Sequence, residues 1–384
     1  MLINLLYLIV PAIGLIVPYS LFSLLPNAIA AGLIYGSLVR ERFNRKLFVS
    51  AVIVILYAVG YWLRWPDFRS VTAITIFCLS FVFSYRYLST KKIFVTAVLS
   101  TLIIGLFATG LVEGQKIIAE VSHEPGVEYT TDMRAFLKTY YLMKKGENYY
   151  QAFVKGVSGA EGTGYELDIG GWRETFIFYF WKTLAPNGGY IYLLAVCCFS
   201  LNLLAAYTIA RQFLPDKIAL FSPFLLYPYF HFPLIDLTYM QVEWWAMSFF
   251  IWGLAFYFST KKNYSGIFFA LSLATRELFV FSIASFLVIK LTRKHFRSFF
   301  FVILPLLCFF VFYVIIYLPN LLPYKTVFLR IAGHSNWHMV NKALAYSSWS
   351  YYLGIFRPFL YIITTTTCLA IWRIIRGLST NVVE

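Results

Sequence analysis

From Ile93 to Lys116 the chain reads IFVTAVLSTLIIGLFATGLVEGQK. Up to Val112 it carries no charged side chain, and at Glu113 it turns polar. A helical crossing of a bilayer takes ~20 mostly apolar residues, so 93–112 reads as one crossing. Residues 113–185 are the only long polar segment of the chain. They hold ten of its seventeen acidic residues: Glu113, Glu120, Glu124, Glu128, Asp132, Glu147, Glu161, Glu166, Asp168 and Glu174. Carboxylates gathered beside one membrane face point to chemistry or recognition at that face.

The apolar pattern of 93–112 recurs on both sides. Of 384 residues, 60% are hydrophobic and 20% aromatic, where soluble domains run at roughly 45–50% apolar. Candidate membrane segments are 3–22, 26–39, 47–63, 71–88, 93–112, 188–210, 218–232, 240–258, 264–275, 278–291, 298–318 and 353–372. The expected fold class is all-α, a polytopic membrane protein of about 10–12 transmembrane segments with a large outer loop carrying juxtamembrane helices. A β-barrel would show short alternating segments, and the sequence lacks them. Residues 1–92 read as an accessory N-terminal group of four helices, the first two broken near Pro26. Residues 93–384 read as the membrane core, with outer loops 113–187 and 319–352.

The net charge of +15 does not indicate nucleic acid, because the basic residues cluster between apolar runs as the positive-inside rule requires. Arg40 to Lys46, Lys91-Lys92, Arg211 with Lys217, Lys261-Lys262, Arg293 to Arg297, and Arg373 with Arg376 then share the cytoplasmic side. Arg64 and Arg69 fall on the opposite side. Both large loops face outward, so the expected location is a cell membrane, multi-pass, with the site on the non-cytoplasmic side. The five cysteines lie in apolar runs without metal or disulfide spacing.

The 27 residues between Lys262 and Lys290 have basic clusters at both ends. If both ends are cytoplasmic, the chain enters and returns within that length. Each arm is then about 18–21 Å of helix, short of the ~30 Å hydrocarbon core. The tip, Thr275-Arg276-Glu277, would lie inside the outer half of the membrane, where an ionisable pair is expensive unless it faces a polar cavity or a ligand. A self-satisfying Arg–Glu pair, or a single tilted helix, is the plainer alternative.

Within the acidic loop, Thr131 or Asp132 can cap a helix whose first turn carries Arg134. Phe136, Leu137, Tyr140, Tyr141 and Met143 recur at helical spacing, and Gly146 can end the helix. The segment is amphipathic and is expected to lie at the outer interface. By local residues alone Asp132 is equally a simple N-cap and a reactive carboxylate.

An acidic residue after the first core helix, followed by Tyr140-Tyr141-x-Met143-x-x-Gly146-x-x-Tyr149-Tyr150, resembles the first outer loop of C-superfamily (GT-C) glycosyltransferases. Two further stretches carry the resemblance: His231-Phe-Pro233 with Gln241-Val-Glu243 at the start of a helix, and the charged tip Ala274-Thr275-Arg276-Glu277. It covers roughly 93–372 by the order of segments. Four helices precede the core, where many relatives begin directly with the helix before the acidic loop. The resemblance implies an integral-membrane enzyme that moves a sugar, with inversion, from a polyprenyl-phosphate-linked donor to a glycan, lipid or protein acceptor.

Such a transfer needs a carboxylate to take the acceptor proton and a cation to stabilise the phosphate leaving group. Asp132 is the expected base, with Glu128 as the alternative. Arg suits a phosphate because its planar fork donates in two directions. Arg276, Arg330 and Arg357, with His334 and His338, are the candidates for donor phosphate. Gln241, Glu243, Arg134, Arg173 and Trp172 are the candidates for substrate. Trp244, Trp245, Trp337 and Trp349 read as interface-belt residues. No metal site and no cofactor are expected, since two histidines alone do not make a zinc site. Two rivals remain: a polysaccharide polymerase or ligase resting on Arg134 and Arg173, and a non-enzymatic lipid or sugar transporter.

Overall fold

The computed structural model describes residues 21–42, 75–83, 91–126, 132–158, 175–284 apart from 236, 260, 278 and 281, then 296–321 and 323. All of them belong to one unit, Met1–Pro323. No strand occurs among the described residues. The helices are α1 (Leu21–Arg42), α2 (Lys91–Glu113), α3 (Gln115–Val121), α4 (Asp132–Lys144), α5 (Tyr149–Ser158), α6 (Thr175–Leu184), α7 (Gly188–Ala210), α8 (Phe221–His231), α9 (Val242–Tyr257), α10 (Asn263–Thr275) and α11 (Phe296–Phe312). After α11 the helix widens into a π-turn, Tyr313–Tyr317, and continues through Leu318–Leu321.

Among the described residues, three stretches are long and apolar enough to cross a membrane: Ile93–Glu113, Gly188–Ala210 and Val302–Leu321. They match the expected segments 93–112, 188–210 and 298–318. The α7 stretch is 56% buried inside the protein, against 33% and 28% for the other two. The reason is its position, with α2, α8 and α9 all packed on it. The last stretch turns Leu304, Leu307, Phe310 and Val311 outward. Helices α8, α9 and α10 are shorter, and α9 lies along α10.

The expected break near Pro26 is not seen, because α1 runs through that residue. The proline ring packs on α2 at Gly105, where even a methyl side chain would collide with it. A close helix–helix approach therefore offsets the backbone bond that the ring removes. Residues 1–20 and 43–74 lie outside the described residues, as do 285–295 and 324–384.

Between α2 and α7 the polar segment forms a layer of short helices. α4, Asp132–Lys144, is the helix expected between a cap at Thr131 or Asp132 and an end at Gly146. Gly146, just past its end, has φ +103, a backbone state that L side chains rarely adopt. Its apolar residues Phe136, Leu137, Tyr140 and Met143 are buried. They are covered by protein: Phe136 packs on Phe153 of α5 and Phe178 of α6. Trp245, expected in an interface belt, is also core, at 1% exposure. It meets Trp181 at 5.8 Å and Phe199 at 6.0 Å between ring centroids, and its indole N–H donates to the Tyr239 carbonyl at 2.8 Å. A Trp whose N–H finds a partner inside the fold does not need an interface.

Candidate active site

The start of α4 touches two charged clusters on neighbouring residues. Met133, next to Asp132, lies against the linker before α9, with Gln241 Nε2 at 3.9 Å from its Sδ. Arg134, one residue on, donates to Glu120 of α3 at 2.6 Å. The helix is thereby held at both edges of its first turn.

On the Met133 side, Gln241 is the N-cap residue of α9 and Glu243 sits in that helix's first turn. Glu243 Oε1 is 3.0 Å from Nε of Arg276. Arg276 Nη1 donates to Glu277 at 2.9 Å. Helix α10 stops at Thr275 and Arg276 is extended, with φ −154 and ψ 117. The chain is therefore not one continuous helix through this point, as the hairpin length predicts. Ser272 fastens the end of α10 to α9 by donating to the Ala246 carbonyl at 2.9 Å. Arg276 is only 7% exposed. Both the Arg–Glu pair that the sequence offered as the plainer alternative and a second carboxylate are present at the tip.

On the Arg134 side the charges are shallower. Lys138 and Lys145 both pair with Glu124. Burial pushes the Glu124 carboxyl up, but the two lysines outweigh it and hold the group below the usual carboxylate range. Tyr141 donates to the Val121 carbonyl at 2.8 Å and accepts from the Gly188 N–H at 3.1 Å, tying α4 to α3 and α7. Tyr140 donates to the Ala185 carbonyl at 2.8 Å. Burial raises both phenols, so they remain neutral donors. Glu120, His123, Glu124, Arg134, Leu137 and Leu237 line an open cleft of about 260 Å³.

Of the expected site residues, the structure brings together Gln241, Glu243 and Arg276, with the backbone of Asp132 close by through Met133. Arg134 belongs to the other cluster. The side chain of Asp132, and Glu128, Trp172, Arg173, Arg330, His334, His338 and Arg357 entirely, lie outside the described residues.

One pair was not foreseen. His231 Nε2 lies 2.7 Å from Glu113 Oε2, with side-chain exposures of 1% and 15%. It joins the end of α8 to the end of α2 across 118 residues. Tyr227 stacks on His231, and the Tyr192 hydroxyl lies 2.8 Å from both the Gly110 and the Leu234 carbonyl oxygens, which share its one proton. The signal in the sequence was an ionisable residue at the end of each of two apolar runs. The comparisons bring no relative to these residues: no family model, curated protein or solved structure matches the chain.

Proposed function

We propose that the chain is a polytopic membrane enzyme, an inverting glycosyltransferase of the GT-C type. In this reading it transfers a sugar from a polyprenyl-phosphate-linked donor to a glycan, lipid or protein acceptor at the non-cytoplasmic face. What carries the proposal is one juxtaposition: the first turn of the Asp132 helix lies on Gln241, and the same end of α9 reaches Arg276 at a helix break. A carboxylate at the start of α4 would then act as base beside polar groups suited to sugar hydroxyls. A guanidinium stands behind them for a phosphate.

The polymerase or ligase alternative leans on Arg134 and Arg173. Arg134 pairs with Glu120 at 2.6 Å and Arg173 lies outside the described residues, so that alternative has no juxtaposition like the one at Arg276 behind it. Asp132→Asn keeps the shape and capping ability of the side chain and loses its proton acceptor. Transfer should fall by at least ~10²-fold with the donor lipid still bound. Near-normal turnover with a competent donor would make Asp132 a cap and move the test to Glu128.

A further inference from the structure

We propose that Glu243 is a displaceable occupant of an anion position on Arg276, so that the phosphate of an isoprenyl lipid enters by exchange with a carboxylate. The inference rests on the reading above only for the class of ligand.

Arg276 is 7% exposed, and two carboxylates already face it. A phosphate added to that set would meet like charges at close range in a site largely shielded from water. Exchange lowers that repulsion, because a carboxylate leaves as the phosphate enters.

The geometry says which carboxylate leaves. Glu277 accepts an aligned hydrogen bond from Nη1 at 2.9 Å. It is also the next residue in the chain, and so stays near. Glu243 stands 3.0 Å from Nε, yet that buried Nε–H has no hydrogen-bond acceptor. The pair has ion-pair distance without hydrogen-bond direction. A buried donor left short of an acceptor is a place where a correctly aimed oxygen gains most. The Glu243 side chain is 41% exposed, against 33% for Glu277, so it returns to water at smaller cost. It also sits in the first turn of the 16-residue α9, where the helix dipole continues to favour its charge after it has left Arg276. A phosphate can meet the guanidinium with two parallel bonds, which Glu243 does not make.

The test is equilibrium binding to the full chain in detergent. The probe is a long-chain isoprenyl monophosphate, with the matching isoprenyl alcohol as the phosphate-free arm and inorganic phosphate as competitor. Glu243→Gln should tighten the monophosphate by about fivefold, the value of a half-exposed ion pair, and leave the alcohol unchanged. Arg276→Gln should make monophosphate and alcohol bind alike. Glu277→Gln should tighten less than Glu243→Gln. Competition by inorganic phosphate would show that the head group alone suffices. Its absence, with the Glu243→Gln gain intact, would show that the lipid tail is needed.

If Glu243→Gln does not fold, Glu243→Asp withdraws the carboxylate by one methylene and should shift binding in the same direction. A folded Glu243→Gln protein with unchanged or weaker monophosphate binding overturns the proposal, and so does equal gain for the alcohol. Since no transfer is measured, near-normal turnover of Asp132→Asn would remove Asp132 as the base and leave this inference standing.

Discussion

The two charged regions at the start of α4 use the same residue types at different depths. In the shallow region, Arg134 and Glu120 have side chains 43% and 52% exposed. In the deep region Arg276 is 9% exposed by side chain, and the separate Glu113–His231 pair is deeper still, with His231 at 1%. Exposed pairs contribute about 0–1 kcal/mol each and are screened by salt. Pairs taken out of water contribute little net, but breaking one strands a charge. The shallow lattice therefore tolerates loss of a member more readily than the buried Glu113–His231 pair does. A deep pair that is nevertheless imperfectly aligned, such as Glu243 with Arg276, stands out for that reason.

The sharpest way to break this contrast is His231→Ala. It removes the 2.7 Å hydrogen bond between the buried His231 ring and the Glu113 carboxyl group and should lower stability by about 3 kcal/mol. Thermal unfolding in detergent reads it, with Arg134→Ala as the shallow reference. Equal losses for the two variants would end the distinction.

Next in size is Gly146→Ala. A Cβ there meets nothing within 4 Å, so only the positive φ opposes it. The expected loss is about 1–2 kcal/mol, more than any single ion pair of the shallow layer. A neutral result would mean that charges, not the chain reversal after α4, hold the layer in place.

The smallest effect is at Glu124. Its carboxyl is held below the ordinary value, so its contribution to stability is present above the unfolded-state pKa. That contribution is lost as pH falls through the lower folded value. Unfolding followed from neutral pH to below about pH 4 should show the loss in the wild type. Glu124→Gln should flatten it and cost under about 1 kcal/mol at neutral pH. An unchanged pH profile would remove Glu124 as the acid-sensitive member.

What could be read in the sequence was local or periodic. Helix α4 was legible because its apolar spacing and Gly146 agree. The break at Arg276 was legible because the chain between Lys262 and Lys290 is too short for two full crossings. The Glu113–His231 pair was not, since nothing near Glu113 specifies a residue 118 positions away. Trp245 was misplaced for a related reason. An aromatic residue near the end of an apolar run looks the same whether lipid or protein covers it, and here Trp181 and Phe199 cover it. The start of α1 was misjudged because Pro26 signals a break unless a neighbour as small as Gly105 lets another helix fit against its ring.

The π-turn at Tyr313–Tyr317 acts as a phase shift. An α-helix advances about 100° per residue, and a wide turn inserts one residue into that count. Val314, Ile315 and Ile316 accordingly point outward in succession. Tyr317 swings in at 3% exposure, with its ring 6.3 Å from Tyr150 of α5. Tyr317 to Leu321 are thereby rotated relative to the register set by α11. A single inserted residue thus decides which side of the helix meets the polar layer.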